Sequence, residues 1–196
     1  MCGWVTRWRN THGYGVQSPT DYRFLKYVIR ERGEYYAYAN LRAHAGMTGE
    51  ELKKGLLFFR IANALQSDVL YDSTESAAKY APFFSAGCVR MEVRCNGAKD
   101  GCAIPMMTDM DEARGKRLLL RLSCRDYSCE EMAKLLNSLP YNAAVIAEDI
   151  DCDSDARESY RALLGSEKAR IIYDMQTFAL CFLLPNRFKQ TYFIYF

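Results

Sequence analysis

No stretch of this 196-residue chain approaches the roughly 20 apolar residues that a membrane-spanning helix needs. The longest apolar run, Thr177 to Pro185, has the length of a strand. Met1-Cys2-Gly3-Trp4 leads into charged residues with no apolar h-region, so no secretory signal is expected. An excess of one charge is also missing: 26 basic against 24 acidic residues leave a formal net charge of +2. The basic residues are scattered among acids, which predicts no nucleic-acid-binding surface. None of the eight cysteines forms a C-x-x-C pair. Cys88, Cys95 and Cys102 are evenly spaced but have no paired second half, so zinc is not expected. The thiols read as reduced, in a cytoplasmic protein. Histidine is scarce, with only His12 and His44. Finally, the turn after the first predicted strand, Asp72-Ser73-Thr74-Glu75-Ser76-Ala77, contains no glycine.

What is present is the composition of an ordinary globular chain, 49% apolar and 26% charged, of a length that suits one domain with a sizeable core. Residues 1–17 read as an irregular lead in which Arg7 and Arg9, beside Trp4 and Trp8, could touch a membrane surface or a nucleic acid but read rather as a frayed amphipathic start that packs on the domain. Ser18-Pro19-Thr20-Asp21 reads as a helix start, and the helix carries Tyr22, Leu25, Val28 and Ile29 on one face and ends near Gly33. Thr48 and Glu51 have capping-box spacing ahead of a helix to Leu65. Then come a strand at Asp68–Tyr71, a helix at Glu75–Ser85, and an alternating strand at Cys88–Cys95. Residues 96–113 read mostly as loop. Arg117–Ser123 is a buried strand, Glu130–Leu139 a helix capped by Ser128 with Glu131, and Ala143–Ala147 a short strand ending at Glu148-Asp149. Asp153 or Ser154 caps a helix that closes at Gly165. Ala169–Tyr173 is a short strand or lead-in, and Ala179–Leu184 and Thr191–Phe196 form an antiparallel pair joined through Pro185–Phe188. The alternation of strands and helices predicts an α/β fold: a Rossmann-like, mostly parallel sheet with an antiparallel C-terminal hairpin, helices on both faces and extra N-terminal helices. Residues 1–47 form an N-terminal lead packed on an α/β unit at 48–196, one structural domain in all.

Three segments carry a family resemblance. They are His12-Gly13-Tyr14-Gly15-Val16-Gln17-Ser18-Pro19, followed by Tyr35-Tyr36; Leu56-Leu57-Phe58-Phe59-Arg60-Ile61-Ala62-Asn63; and Val145-Ile146-Ala147-Glu148-Asp149-Ile150, continuing through Phe178–Phe182 to Lys189–Phe196. Together they resemble class I SAM-dependent methyltransferases, a small group related to the O-methyltransferases. The match touches both ends, while residues 93–116 are poorly matched and look shortened. The resemblance implies an acid at the end of the first strand, a glycine-rich turn that lets the backbone approach S-adenosylmethionine, and an acid after the second strand for the ribose. Here Tyr71 holds the first acid position, Ser73 and Ala77 hold the glycine positions, and Asp72 comes one residue late. Asp72, Ser73 and Glu92 are the cofactor-binding candidates. Glu92 reads also as the solvent face of an alternating strand.

Ser123 stands where the family places an acid of the reaction centre, with Asp126 three residues on. Glu148-Asp149 matches the family and sits where open α/β sheets place ligands. With Asp151 and Asp153 nearby, that pair could hold a hard cation such as Mg²⁺, or be a solvated turn that caps the next helix. His12 and Asp149 are the catalytic candidates; His12 reads also as an ordering residue of the lead. Cys124 at a strand end has no partner base by spacing. Two readings follow. One is a degenerate methyltransferase-like binding or regulatory module with lost or altered cofactor binding. The other is an active O-methyltransferase on a small molecule. Self-association through the aromatic tail Thr191–Phe196 is a third idea, against which the tail reads as an internal strand.

Overall fold

The computed structural model describes residues 4–44, 46–47, 49–95 and 115–196. The loop expected at 96–113, Thr48 of the expected capping box, and the side chains of Trp4 and His44 lie outside the described residues. The strands are β1 (Val69–Asp72), β2 (Glu92–Cys95), β3 (Leu118–Ser123), β4 (Ala144–Glu148), β5 (Ala169–Asp174), β6 (Phe178–Leu183) and β7 (Gln190–Phe193). Among the described residues they form one sheet in the order β2-β1-β3-β4-β6-β5-β7. Only β6 runs against the rest. The helices are α1 (Trp4–Thr11), α2 (Pro19–Phe24), α3 (Tyr38–His44), α4 (Gly49–Leu65), α5 (Ala77–Gly87), α6 (Cys129–Ser138) and α7 (Ser154–Gly165). The fold is Rossmann-like α/β.

Central parallel strands are buried on both faces, so they read as unbroken apolar runs. Leu70, Leu119 and Ile146 turn toward α4 and α5, where they meet Phe58 and Phe84. Val69, Leu120 and Val145 turn the other way, toward Leu136 of α6 and Leu163 of α7. Glycine lets α4 and α5 touch: a Cβ at Gly87 would strike the Phe59 carbonyl, and one at Gly55 would lie 2.7 Å from the Phe83 ring. The caps read from sequence form as expected at Ser18, Ser128 with Glu131, and Asp153. Among the described residues no helix is long and apolar enough to cross a membrane.

Four local expectations change. The lead is not irregular throughout, because residues 4–11 form α1. Arg7 on that helix bonds the buried Asp174 carboxylate at 2.9 Å and the Ile194 carbonyl at 3.3 Å, docking the helix on the end of β5. The second helix does not run to Gly33. After Phe24 it widens into a π-helical turn, Leu25–Ile29. It stops there because the buried Arg60 guanidinium takes the Val28 and Ile29 carbonyls at 2.6 and 3.2 Å, satisfying orphan helix-end acceptors. The strand expected from Cys88 begins only at Glu92, since the Cys88 amide still closes α5 on Phe84 and Val89 is exposed. Lastly, the two tail runs do not pair with each other. The hairpin is β5–β6, and β7 lies parallel to β5 at the edge of the sheet rather than inside it. Part of that edge is covered by α1, whose Thr11 hydroxyl accepts from the Tyr195 amide at 2.7 Å.

Candidate functional site

Side chains alternate along a strand. Asp72, Arg121 and Glu148 each follow by two residues a core position, Leu70, Leu119 and Ile146, so all three point to the α4/α5 face at the carboxyl edge of the sheet. Register brings them together, because Asp72 lies opposite Arg121 and Glu148 opposite Ser123. Arg121 is fully buried. Its Nη1 donates to Asp72 Oδ2 at 2.7 Å, its Nε to Glu148 Oε1 at 2.8 Å, and its Nη2 to Ser76 Oγ at 2.7 Å. The guanidinium also lies over the Tyr80 and Phe58 rings, 4.7 and 5.0 Å from their centroids.

The remaining oxygens of both acids are engaged as well. Asp72 Oδ1 accepts from the Thr74 amide at 3.0 Å and the Thr74 hydroxyl at 2.8 Å, which shapes the glycine-free turn. Glu148 Oε2 accepts from Lys54 Nζ of α4 at 2.6 Å. Two buried carboxylates thus face two cations, and the cluster is balanced. Burial works against the charge on Arg121, but Glu148 and then Asp72 outweigh it and hold the group above its ordinary pKa. Burial, followed by the Glu148 charge, pushes the Tyr80 phenol up to about 12. An oxygen that already accepts a charge-assisted bond is poorly placed to take up a ligand.

The other candidates are dispersed. Tyr71 points to the α6/α7 face, into the second core, and its hydroxyl accepts from Arg94 at 3.0 Å. It therefore does not occupy the space beside Asp72; Arg121 does. Ser73 is held against the Arg121 carbonyl through its amide at 3.0 Å. Glu92 opens β2 opposite Val69, three positions before the Cys95–Asp72 pair that marks the carboxyl edge, about 10 Å along the strand. It is exposed and pairs with Arg94 at 2.8 Å, which holds its carboxyl below the ordinary value. Glu92 thus takes the solvent-face role and does not join Asp72 and Ser73.

The acids after β4 point apart. Asp149 is exposed, sits at φ +57°, and accepts from Ser123 Oγ at 2.6 Å. Asp151 pairs with Arg157, and Asp153 accepts from the Ala156 amide at 2.8 Å as the cap of α7. Glu148 is turned inward, so the Mg²⁺ arrangement weighed for Glu148 and Asp149 does not assemble. Among the described residues no group of three or more His, Cys, Asp or Glu could hold a metal ion. Asp126 ends a short 3₁₀ turn; partial burial, then Glu75 and Asp149, raise its carboxyl above the ordinary value. Burial pushes the Cys124 thiol up to about 12, which makes it inert as a nucleophile. His12 lies on the turn after α1, its Nδ1 2.8 Å from the Trp8 carbonyl, and has no bond to Asp72, Arg121, Glu148 or Asp149.

Sequence reasoning missed Arg121 and Lys54. The signal for Arg121 was present: a lone charge inside Leu118-Leu119-Leu120-Arg121-Leu122 must find a buried partner. Lys54 stands four residues before Phe58 on the inner face of α4, and nothing local distinguishes it from a solvated lysine.

No protein-family model matches the chain, and no curated protein matches it. Solved structures do: that of cofactor-bound Rv0187 from MTB aligns with a TM-score of 0.45 at 14% identity, covering 86% of this chain and 98% of that one. A likeness of that degree bears on neither ligand nor activity, and the fold assignment rests on the sheet itself.

Proposed function

We propose that this chain is a methyltransferase-like domain whose S-adenosylmethionine site is lost or remodelled, and that it acts as a binding or regulatory module. One observation carries the reading. At the carboxyl edge of the parallel strands, where open α/β sheets take their ligands, the Arg121 guanidinium is buried between Asp72 and Glu148. A cofactor entering there would have to break a buried charge pair, which costs about 3–5 kcal/mol when one partner is left alone. The free thiols Cys88, Cys124 and Cys181, all buried, fit a cytoplasmic setting.

The alternative, an active O-methyltransferase on a small molecule, draws support from Asp149, an exposed carboxylate at the end of β4 beside Ser123. Isothermal calorimetry with S-adenosylmethionine and S-adenosylhomocysteine separates the two readings. The proposal expects no saturable heat from either compound. Micromolar binding of either one would overturn it in favour of the enzyme.

A further inference from the structure

A groove of about 450 Å³ lies between the turn after α1 and the α2 segment with its π-helical turn, and no strand end contributes to it. Tyr22, Lys26 and Arg30 line it at a spacing of four, and Tyr27, Arg32, His12 and one acid, Glu31, also line it. Tyr22 and Tyr27 are 40% and 51% exposed, and Lys26 Nζ lies over one face of the Tyr27 ring, 5.0 Å from its centroid, which leaves the other face for a ligand. Gly13 fixes one of them: it sits at φ +85°, and a Cβ there would collide with the Tyr22 ring.

Cations elsewhere on the surface are of two kinds, some paired and some, such as Arg23, Lys134 and Arg161, without a carboxylate within ion-pair distance among the described residues. Arg42, Arg117 and Arg157 on the outer surface each reach a carboxylate. Among the described residues, no carboxylate lies within ion-pair distance of Lys26, Arg30 or Arg32. Of the two acids of this region, Asp21 is held by Arg187 at 2.7 Å and Tyr192 at 3.0 Å, and Glu31, which lines the groove, has its Oε1 turned to the Arg32 and Gly33 amides at 2.7 and 2.6 Å.

We infer that this groove binds a compact aromatic polyanion, a nucleoside di- or triphosphate, with the phosphates on Lys26, Arg30 and Arg32 and the base against Tyr27 or Tyr22. The concavity and its volume suit a small molecule, whereas a membrane surface would call for a flat or convex patch. Guanidinium groups match phosphate oxygens in pairs, and a phenol ring stacks on any base.

The test is calorimetry of the full chain with ATP, inorganic triphosphate and a dodecathymidylate oligonucleotide. Three variants are compared with the unaltered chain: Lys26→Gln/Arg30→Gln, Tyr27→Ala, and a control with the same charge change on other helices, Lys134→Gln/Arg161→Gln. The expected result is saturable ATP binding, weakened about tenfold or more in the groove double variant and unchanged in the control. Tyr27→Ala should weaken ATP more than triphosphate. Absence of ATP binding, equal loss in the control, or binding of the oligonucleotide alone would each overturn the inference. S-adenosylhomocysteine carries no phosphate and should not compete, so the result stands apart from that of the strand-end site.

Discussion

The carboxyl edge of the sheet and the α1–α2 groove treat charge in opposite ways. At the edge, Arg121 and Lys54 are met by Asp72 and Glu148, and the pairs are buried or nearly so. In the groove, Lys26, Arg32 and the half-buried Arg30 have no carboxylate within ion-pair distance among the described residues, while Asp21 and Glu31 Oε1 are turned to other partners. Paired and desolvated charge holds a structure in one arrangement; unpaired charge in a concavity is available to something else. On the proposed reading, the place that the fold would reserve for a ligand is filled by the protein's own paired side chains, and a ligand is taken up in the groove instead.

The sharpest way to break the comparison is to remove the edge cation. Arg121→Met leaves Asp72 and Glu148 facing each other without it. Urea denaturation should show a loss of about 3–5 kcal/mol. A loss under about 1 kcal/mol would mean that the cluster is not held by charge. Restoring neutrality in Arg121→Met/Asp72→Asn/Glu148→Gln should recover part of that loss. In the groove, Lys26→Gln/Arg30→Gln should leave stability within about 0.5 kcal/mol of the parent, as surface changes do.

Those outcomes bear on how much was legible in the sequence. Patterning and caps gave the α/β class and most elements, because strands buried on both faces and capped helices are written locally. The glycine-free turn was legible as well, together with the small residues that fill it. The pairing of Asp72 with Arg121 and Glu148 was not, since it depends on the register of three strands separated by helices. The end of the second helix was likewise decided at a distance, by Arg60 reaching across from α4. The tail misled for the same reason: a short link between two β-rich runs suggests a hairpin, but β5 lies between them and already pairs with both.

Smaller effects sharpen the contrast. Ser128→Ala removes the capping box of α6, outside both regions, and should cost about 1 kcal/mol in chemical denaturation. Asp126 sits on the rim of the edge with its carboxyl raised, chiefly by burial and then by Glu75 and Asp149. A raised carboxyl favours the fold in its protonated form, so that contribution is full below the ordinary aspartate pKa and is lost as pH rises through the folded value. Asp126→Asn should therefore raise the melting temperature slightly at neutral pH. The gain should fade below about pH 4, where the parent is protonated as well. A gain that persists in acid would assign the effect to packing rather than charge.

The closed edge is tested most directly by a crystal of the full chain soaked with S-adenosylhomocysteine. The expected density shows Arg121 still bridging Asp72 and Glu148, with no nucleoside at the carboxyl ends of β1 and β3. A bound S-adenosylhomocysteine there, with the Arg121 bridge opened to admit it, would contradict the loss of the site.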